Sequence, residues 1–455
     1  MPPAAGIAEP RRGREDAMAQ SVRLALDGPG IAMTLQDWLD HMQGLHPVAV
    51  ELGLERVRTV ARRMALPRPA RQVVVVGGTN GKGSTVAFIE SLAAAAGMDV
   101  GCYTSPHLLH YNERVRVRGV DAPDAALVAA FERVEAARGD TTLTYFEFGT
   151  LAALAVLGGA DLDLAVLEVG LGGRLDAVNL VDADVAVVTT VALDHHEELG
   201  KDRERIAVEK AGIFRADRPA VIGEADPPDA LLREARRIGA IACRAGRTFR
   251  HAPLPGGRWL YQDGIGGEGA IRLDLPRPPL EAPCQAANAA TALAALRSLP
   301  EPPALDADTV SRGLMATRLP GRLQRLPGPV ELIVDVAHNP QAAQQLAHWL
   351  IRNRGMGSTQ AVFSALGDKD IPNLVAPLLT CVDAWRLAGL ADRSPRGLEV
   401  EALWRPISGL LSRTLATRHP TVDDALEAAR RHAQPGDRIV VFGSFLTAAA
   451  ALASA

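Results

Sequence analysis

The stretch Val73 to Glu90, VVVVGGTNGKGSTVAFIE, sets four glycines around Lys82 between an apolar run and a helical one. Glycines let backbone N–H groups approach an anion and admit positive φ. A helix starting there aims its positive end at the same point, and Lys82 adds a point charge suited to phosphate. Ser84 or Thr85 can donate a hydroxyl or cap the helix. The common phosphate loop is not matched. Its first glycine would fall at Val76, and Gly83 stands where Ser or Thr should follow the lysine. A tight turn with a solvated lysine is the bland alternative, but the strand-to-helix junction favours phosphate.

Other residues could join that loop. In an open parallel sheet, ligands collect at the carboxyl ends of strands. VGCYTSPH ends at Ser105, AVLEVGLGGR carries Glu168, and VVTTVALDHH leads to Asp194 and His195. Ser105 could simply end a strand, Asp194 could cap a helix, and His195 could be a satisfied loop histidine. Glu168 is harder to dismiss, because a carboxylate closing an apolar run is costly to desolvate without a partner. A divalent cation on nucleotide phosphates is the natural partner, and Mg²⁺ prefers few protein ligands plus phosphate oxygens. Imidazole is an unusual Mg²⁺ ligand. Lys210, in VEKAGIFR, reads from composition alone as a surface lysine on a helix.

The elements that must position these groups are legible in outline. QVVVVG (72–77) is a β-branched run, as in a parallel strand covered on both faces. A helix from Ser84 to Ala96 and a strand over 99–105 complete a βαβ unit. Helix is expected over 148–159, and strands over 162–170, 182–193 and 218–224. Arg244 to Pro279, rich in Gly and Pro with short alternating pieces, suggests a small antiparallel insertion. A helix follows over 285–299. LPGRLQRLPGPV (319–330) has the Pro and Gly density of a hinge. Beyond it come strands opening at Glu331 and Thr359, and a strand–turn–helix over 437–450. The expectation is α/β: an ATPase-like parallel-sheet domain over 31–318, a hinge over 319–330, and a smaller Rossmann-like domain over 331–455.

Composition narrows the classes. The 455 residues exceed one ordinary core. Forty-nine basic against 53 acidic residues leave a net charge of −4, with no basic face pointing to nucleic acid. Cys102, Cys243, Cys284 and Cys381 form no CxxC pair, so neither a zinc site nor a disulfide framework is indicated. No apolar run is long enough to span a membrane. Residues 1–30 lack a signal core and read as a disordered extension, with Met18 or Met33 as alternative starts. A cytoplasmic protein is expected.

The ordered motifs GTNGKGST (78–85), YTSPHL (103–108), NERVRV (112–117), LTYFEFGTLAAL (143–154), LEVGLGGRLDAVN (167–179), EKAGIFR (209–215), LPGRLQ (319–324) and DVAHNP (335–340) resemble the Mur ligase superfamily. Within it, they resemble the folylpolyglutamate synthase/dihydrofolate synthase family, from about residue 34 onward. The resemblance implies ATP-dependent phosphorylation of a dihydropteroate or reduced-folate carboxylate, then attack by the amine of L-glutamate, with ADP and phosphate released. It implies a nucleotide site at Thr79, Asn80, Gly81, Lys82, Gly83, Ser84, Asn288, Arg322, Asp335 and His338. It implies Mg²⁺ ligands, serving two ions, at Ser105, Glu168, His195 and a carbamylated Lys210. That would overturn the composition reading of Lys210. Lys82, Lys210, His195 and Arg322 become the catalytic set, and Thr144, Tyr145, Phe146, Glu147, Leu175 and Glu51 the pteridine side. The family is usually monomeric.

Two departures stand out. DHHEELG carries His196, Glu197 and Glu198 where related bacterial enzymes carry DHTDWLG, and Leu446 replaces a histidine of some relatives. A peptidoglycan-precursor ligase would need its own uridine-nucleotide domain, and only about 40 patterned residues precede the Lys82 strand, few for a domain. A non-catalytic nucleotide module is disfavoured by the intact lysine and metal set.

Overall fold

The computed structural model describes residues 33–48, 50–265 and 270–454, with the side chains of His196 and Glu197 excepted. The extension expected over 1–30 lies outside the described residues. β1 (Gln72–Gly77) is buried along its length. Val73 and Val75 point into one core and Val74 and Val76 into another, so the run is apolar throughout because both faces are covered. Around β1 are β2 (Val100–Tyr103), β3 (Val115–Val117), β4 (Val120–Asp121), β5 (Leu164–Glu168), β6 (Val185–Val188), β7 (Pro219–Ile222) and β8 (Ile241–Arg244). Their order is β4-β3-β2-β5-β1-β6-β7-β8. The expected parallel sheet carries an antiparallel edge: β3 pairs antiparallel with β2, and β4 with β3. Strands expected over 99–105 and 182–193 are shorter, because the chain leaves the sheet at Tyr103 and Val188 to form cavity walls.

β1 lies between β5 and β6, with register pairs Val76↔Glu168 and Gly77↔Val188. The chain therefore turns away at the ends of three adjacent strands, the kind of crevice where open α/β sheets bind ligands. On one face lie helices Leu35–Gly44, Glu55–Arg63, Asp124–Arg138 and Tyr145–Gly158. On the other lie helices Lys82–Ala95 and Gln285–Arg297, with the expected insertion, β9 (Phe249–Pro253), β10 (Trp259–Asp263) and β11 (Ile271–Leu275), an antiparallel sheet.

The segment 319–330 contains β12 (Gln324–Leu326), antiparallel to β13 (Glu331–Val334). With β14 (Thr359–Phe363), β15 (Ala384–Ala388), β16 (Leu415–His419) and β17 (Arg438–Phe442) these form a sheet ordered β12-β13-β17-β14-β15-β16. It too has a separate core on each face. Among the described residues no helix is long and apolar enough to cross a membrane.

Candidate active site

The loop after β1 is strapped to the segment after β6. Thr79 N–H donates to Thr190 O at 2.8 Å, Thr79 Oγ1 to Ala192 O at 3.1 Å, and Asn80 N–H to Thr190 Oγ1 at 3.1 Å. Gly81 precedes helix Lys82–Ala95 at φ +85°, and a Cβ there would meet Asn288 Oδ1 at 2.7 Å. Glycine is required on both counts. Lys82 Nζ reaches back to Thr79 O at 3.2 Å. Ser84 is buried and accepts a hydrogen bond from Gln285 Nε2 at 3.3 Å.

Glu168, the last residue of β5, is 4% exposed. Burial raises its pKa, opposed by Lys82, by the Ser105 N–H that donates to it at 3.2 Å, and by Arg322. Arg322 and Glu168 face each other across Gly83, where a Cβ would stand 3.7 Å from each. His195 has φ +51°, uncommon for a side-chain-bearing residue. Burial pulls its pKa to about 4, so its ring is neutral and keeps a lone pair to offer. Lys210 is not on the surface: it is 3% exposed, in helix Arg203–Ala211. Burial, then Lys82, lowers its pKa to about 7. Gly173 allows the close packing that hides it, since a Cβ there would lie 3.1 Å from Lys210 Cα.

The second sheet closes the cavity. The Arg322 guanidinium lies 5.1 Å from the Phe445 ring centre. Asp335 accepts the N–H groups of Leu323 and Ala337, each at 2.8 Å, and burial raises its pKa. Asn80 Nδ2 donates to Asn339 Oδ1 at 3.1 Å and Gln341 Oε1 at 2.6 Å, and Asn339 Nδ2 returns a bond to Asn80 Oδ1 at 2.9 Å. Asp194 accepts the His195 N–H at 3.0 Å, just ahead of the short helix His196–Leu199. Its side chain takes Lys369 Nζ at 2.7 Å and lies 3.5 Å from His338 Nε2. Burial pushes its pKa up, but His338 and Lys369 hold it well below the carboxylate range.

The resulting cavity has a volume of about 320 Å³. Thr79, Asn80, Gly81, Lys82, Gly83, Ser84, Ser105, Glu168, His195, Lys210, Asn288, Arg322, Asp335 and His338 all line it. Among the described residues no three His, Cys, Asp or Glu side chains form a ready-made metal centre. Glu168 is the buried carboxylate beside the loop, with the Ser105 hydroxyl and the neutral His195 ring on the same walls. Such a sparse donor set fits a cation that takes its remaining ligands from phosphate and water.

The expected pteridine-side residues lie elsewhere. Thr144 and Glu147 form a capping box at the start of helix Tyr145–Gly158. Arg56 joins Glu147, at 3.0 Å, to the exposed Glu51. Tyr145 and Phe146 are half-buried. Phe146 packs against the cavity wall at Gly170, where a Cβ would meet its ring at 2.6 Å. Leu175 is half-buried in the loop after β5. Beside it is Asp176, which sequence reasoning passed over. Asp176 is buried, accepts the N–H groups of Leu171 and Val178, and is pushed by burial to about 6. Asn339, Gln341 and Lys369 were also missed, since nothing in their local spacing marks an interdomain contact.

Residues 76–246 match the Mur ligase middle domain, and residues 321–445 match the Mur ligase, glutamate ligase domain. The chain is 43% identical over 421 residues to the dihydrofolate synthase/folylpolyglutamate synthase of Escherichia coli K12, covering 92% of this chain and 95% of that protein. Its fold is similar to E. coli FolC in complex with DHPP and ADP, at a TM-score of 0.86 and 42% identity, covering 93% and 98% of the two chains. It is also similar to a bifunctional folylpolyglutamate synthase/dihydrofolate synthase with Mn, AMPPNP and L-glutamate bound, at a TM-score of 0.83 and 43% identity, covering 93% and 98%.

Proposed function

The chain belongs to the dihydrofolate synthase/folylpolyglutamate synthase family of Mur ligases, and from that premise we propose how its residues divide the work. It is an ATP-dependent ligase that joins L-glutamate to dihydropteroate and adds further glutamates to reduced folates. The acceptor carboxylate attacks the γ-phosphorus and ADP leaves. The glutamate amine then attacks the acyl carbon, loses its proton, and phosphate departs with the C–O bond electrons.

Two anions must meet for the first step. Lys82 and Arg322 offset their repulsion, with Arg322 brought in from the second sheet beside Glu168. Thr79 to Ser84 cradle the phosphates, and Asn288, Asp335 and His338 hold the nucleoside side. The reaction uses ATP and a divalent metal. Ser105, Glu168 and His195, with Lys210 as its carbamate, would hold Mg²⁺, two ions in all. When bound, the metal neutralises phosphate oxygens. A buried lysine with a pKa near 7 is partly neutral at physiological pH, the form that adds CO₂, which supports the carbamate. Tyr145, Phe146 and Leu175 face the pteridine, with Thr144, Glu147 and Glu51 fixing that loop through Arg56. Enclosure between two sheets spares the acyl phosphate from water. The protein acts as a cytoplasmic monomer without nucleic acid.

The observation that carries this reading is the single cavity joining the Lys82 loop, buried Glu168 and Lys210, and Arg322 from the second sheet. The test is ADP release with Mg²⁺, L-glutamate and either dihydropteroate or tetrahydrofolate. Release is expected only when glutamate and an acceptor are both present, with a product heavier by one glutamyl unit. Release independent of glutamate would overturn the ligase reading.

A further inference from the structure

Arg114 is a buried cation whose charge is met by no described carboxylate. It ends the short turn Tyr111–Arg114 that leads into β3 and is 9% exposed. Its guanidinium carbon lies 5.3 Å from the Tyr111 ring centre and 5.6 Å from that of Tyr145. Its Nε donates to His107 Nδ1 at 2.8 Å. Accepting there, the imidazole nitrogen offers a lone pair and no negative charge. Glu113 is adjacent in sequence, but its carboxylate accepts the N–H groups of Leu108, Leu109 and His110. Two aromatic faces and one lone pair hold the guanidinium in place without neutralising it. A desolvated charge left in this condition is suited to an anion that arrives with a ligand.

Its position indicates which ligand. His107 follows Ser105 and Pro106, which line the phosphate cavity. Tyr145 precedes Phe146, which packs on Tyr103 at 6.1 Å and on Gly170 of the cavity wall. The residues gripping Arg114 thus adjoin the nucleotide cavity on one side and the proposed pteridine side on the other.

Given the ligase function proposed above, we propose that Arg114 receives the α-carboxylate of the terminal glutamyl group on a folate acceptor. Dihydropteroate carries one carboxylate, the one that reacts. A glutamylated folate carries two, and only one can be activated. Holding the α-carboxylate on Arg114 leaves the γ-carboxylate free to react. Arg114 therefore separates the two ligations and directs the second to the γ position.

The test compares the full-length wild type with Arg114→Met and Arg114→Lys, measuring ADP release with dihydropteroate and with tetrahydrofolate monoglutamate. In Arg114→Met the ratio of kcat/KM for tetrahydrofolate to that for dihydropteroate is expected to fall about ten- to a hundredfold, mainly through KM. Arg114→Lys, which keeps the charge, should recover part of the ratio. If Arg114 only props Tyr111 and Tyr145, both acceptors suffer equally and the ratio stays constant, which overturns the inference. Should the methionine variant fail to fold, an unchanged ratio in Arg114→Lys overturns it and a reduced ratio supports it. A wild type that ligates neither acceptor removes the functional reading itself, whereas normal ligation of both with an unshifted ratio removes only the role of Arg114.

Discussion

Lys369 Nζ lies 2.7 Å from Asp194 Oδ1, so a buried ion pair joins the loop after β14 to the loop after β6. Removing Lys369 leaves the buried Asp194 carboxylate with Asn339 Nδ2, at 3.2 Å, and His338 beside it, but without its closest cation. Lys369→Met is expected to cost about 1–3 kcal/mol of stability, read as a lowered urea midpoint. Adding Asp194→Asn should restore part of that loss. Strictly additive losses in the double variant would show that the pair is not coupled.

Gly81 and Gly83 flank Lys82 but make different demands. At Gly81 an alanine must hold φ +85° and press on Asn288. The left-handed backbone alone costs roughly 1–2 kcal/mol, so ATP affinity in Gly81→Ala should fall by about tenfold. At Gly83 the nearest atoms to a Cβ are 3.7 Å away, an ordinary contact. Gly83→Ala should be milder. Equal losses in isothermal titration would contradict this account of the loop.

Lys210→Ala removes the proposed carbamate. Its activity should fall at least as far as the roughly 10- to 100-fold seen when outer partners of metal ligands are removed. Formate or acetate should restore part of it by supplying a carboxylate. The fold should survive, because a costly buried amine is lost. Full activity in this variant would end the carbamate proposal.

Asp176 sets a pH dependence of stability. Burial raises its folded pKa from 3.8 to about 6. Between these values the folded chain keeps a proton that the unfolded chain has released, so this contribution is full below about pH 4 and is lost as pH rises through 6. Relative to Asp176→Asn, which has no such proton, the wild type should lose about 2 kcal/mol between pH 4 and 7. Denaturant titrations of the ligand-free proteins check it; a stability difference that stays constant with pH would refute it.

Local signals were the readable ones. β1 matches its expected span because a β-branched run between turn residues permits little else. Glu168 stood out as a carboxylate closing an apolar strand, and it is buried at that strand's end. Lys210 misled composition because its burial comes from a remote glycine, Gly173, packed against its backbone. Asp194 and Lys369 are 175 residues apart, and no spacing rule reports such a pair. Thr144 and Glu147 show the opposite case. Their T-x-x-E spacing is a capping-box signature, plain in the sequence, and the box forms at the start of helix Tyr145–Gly158.

The side chain of Asn80 has a consequence for the order of events in each turnover. It belongs to the loop proposed to cradle phosphate, yet it grips Asn339 and Gln341 at the start of helix Pro340–Arg352. The two sheets cannot part without releasing the loop, and the loop cannot relax freely while they are joined. Departure of spent nucleotide is therefore tied to separation of the two halves, and the dwell time of ADP becomes a clock set by this polar seam.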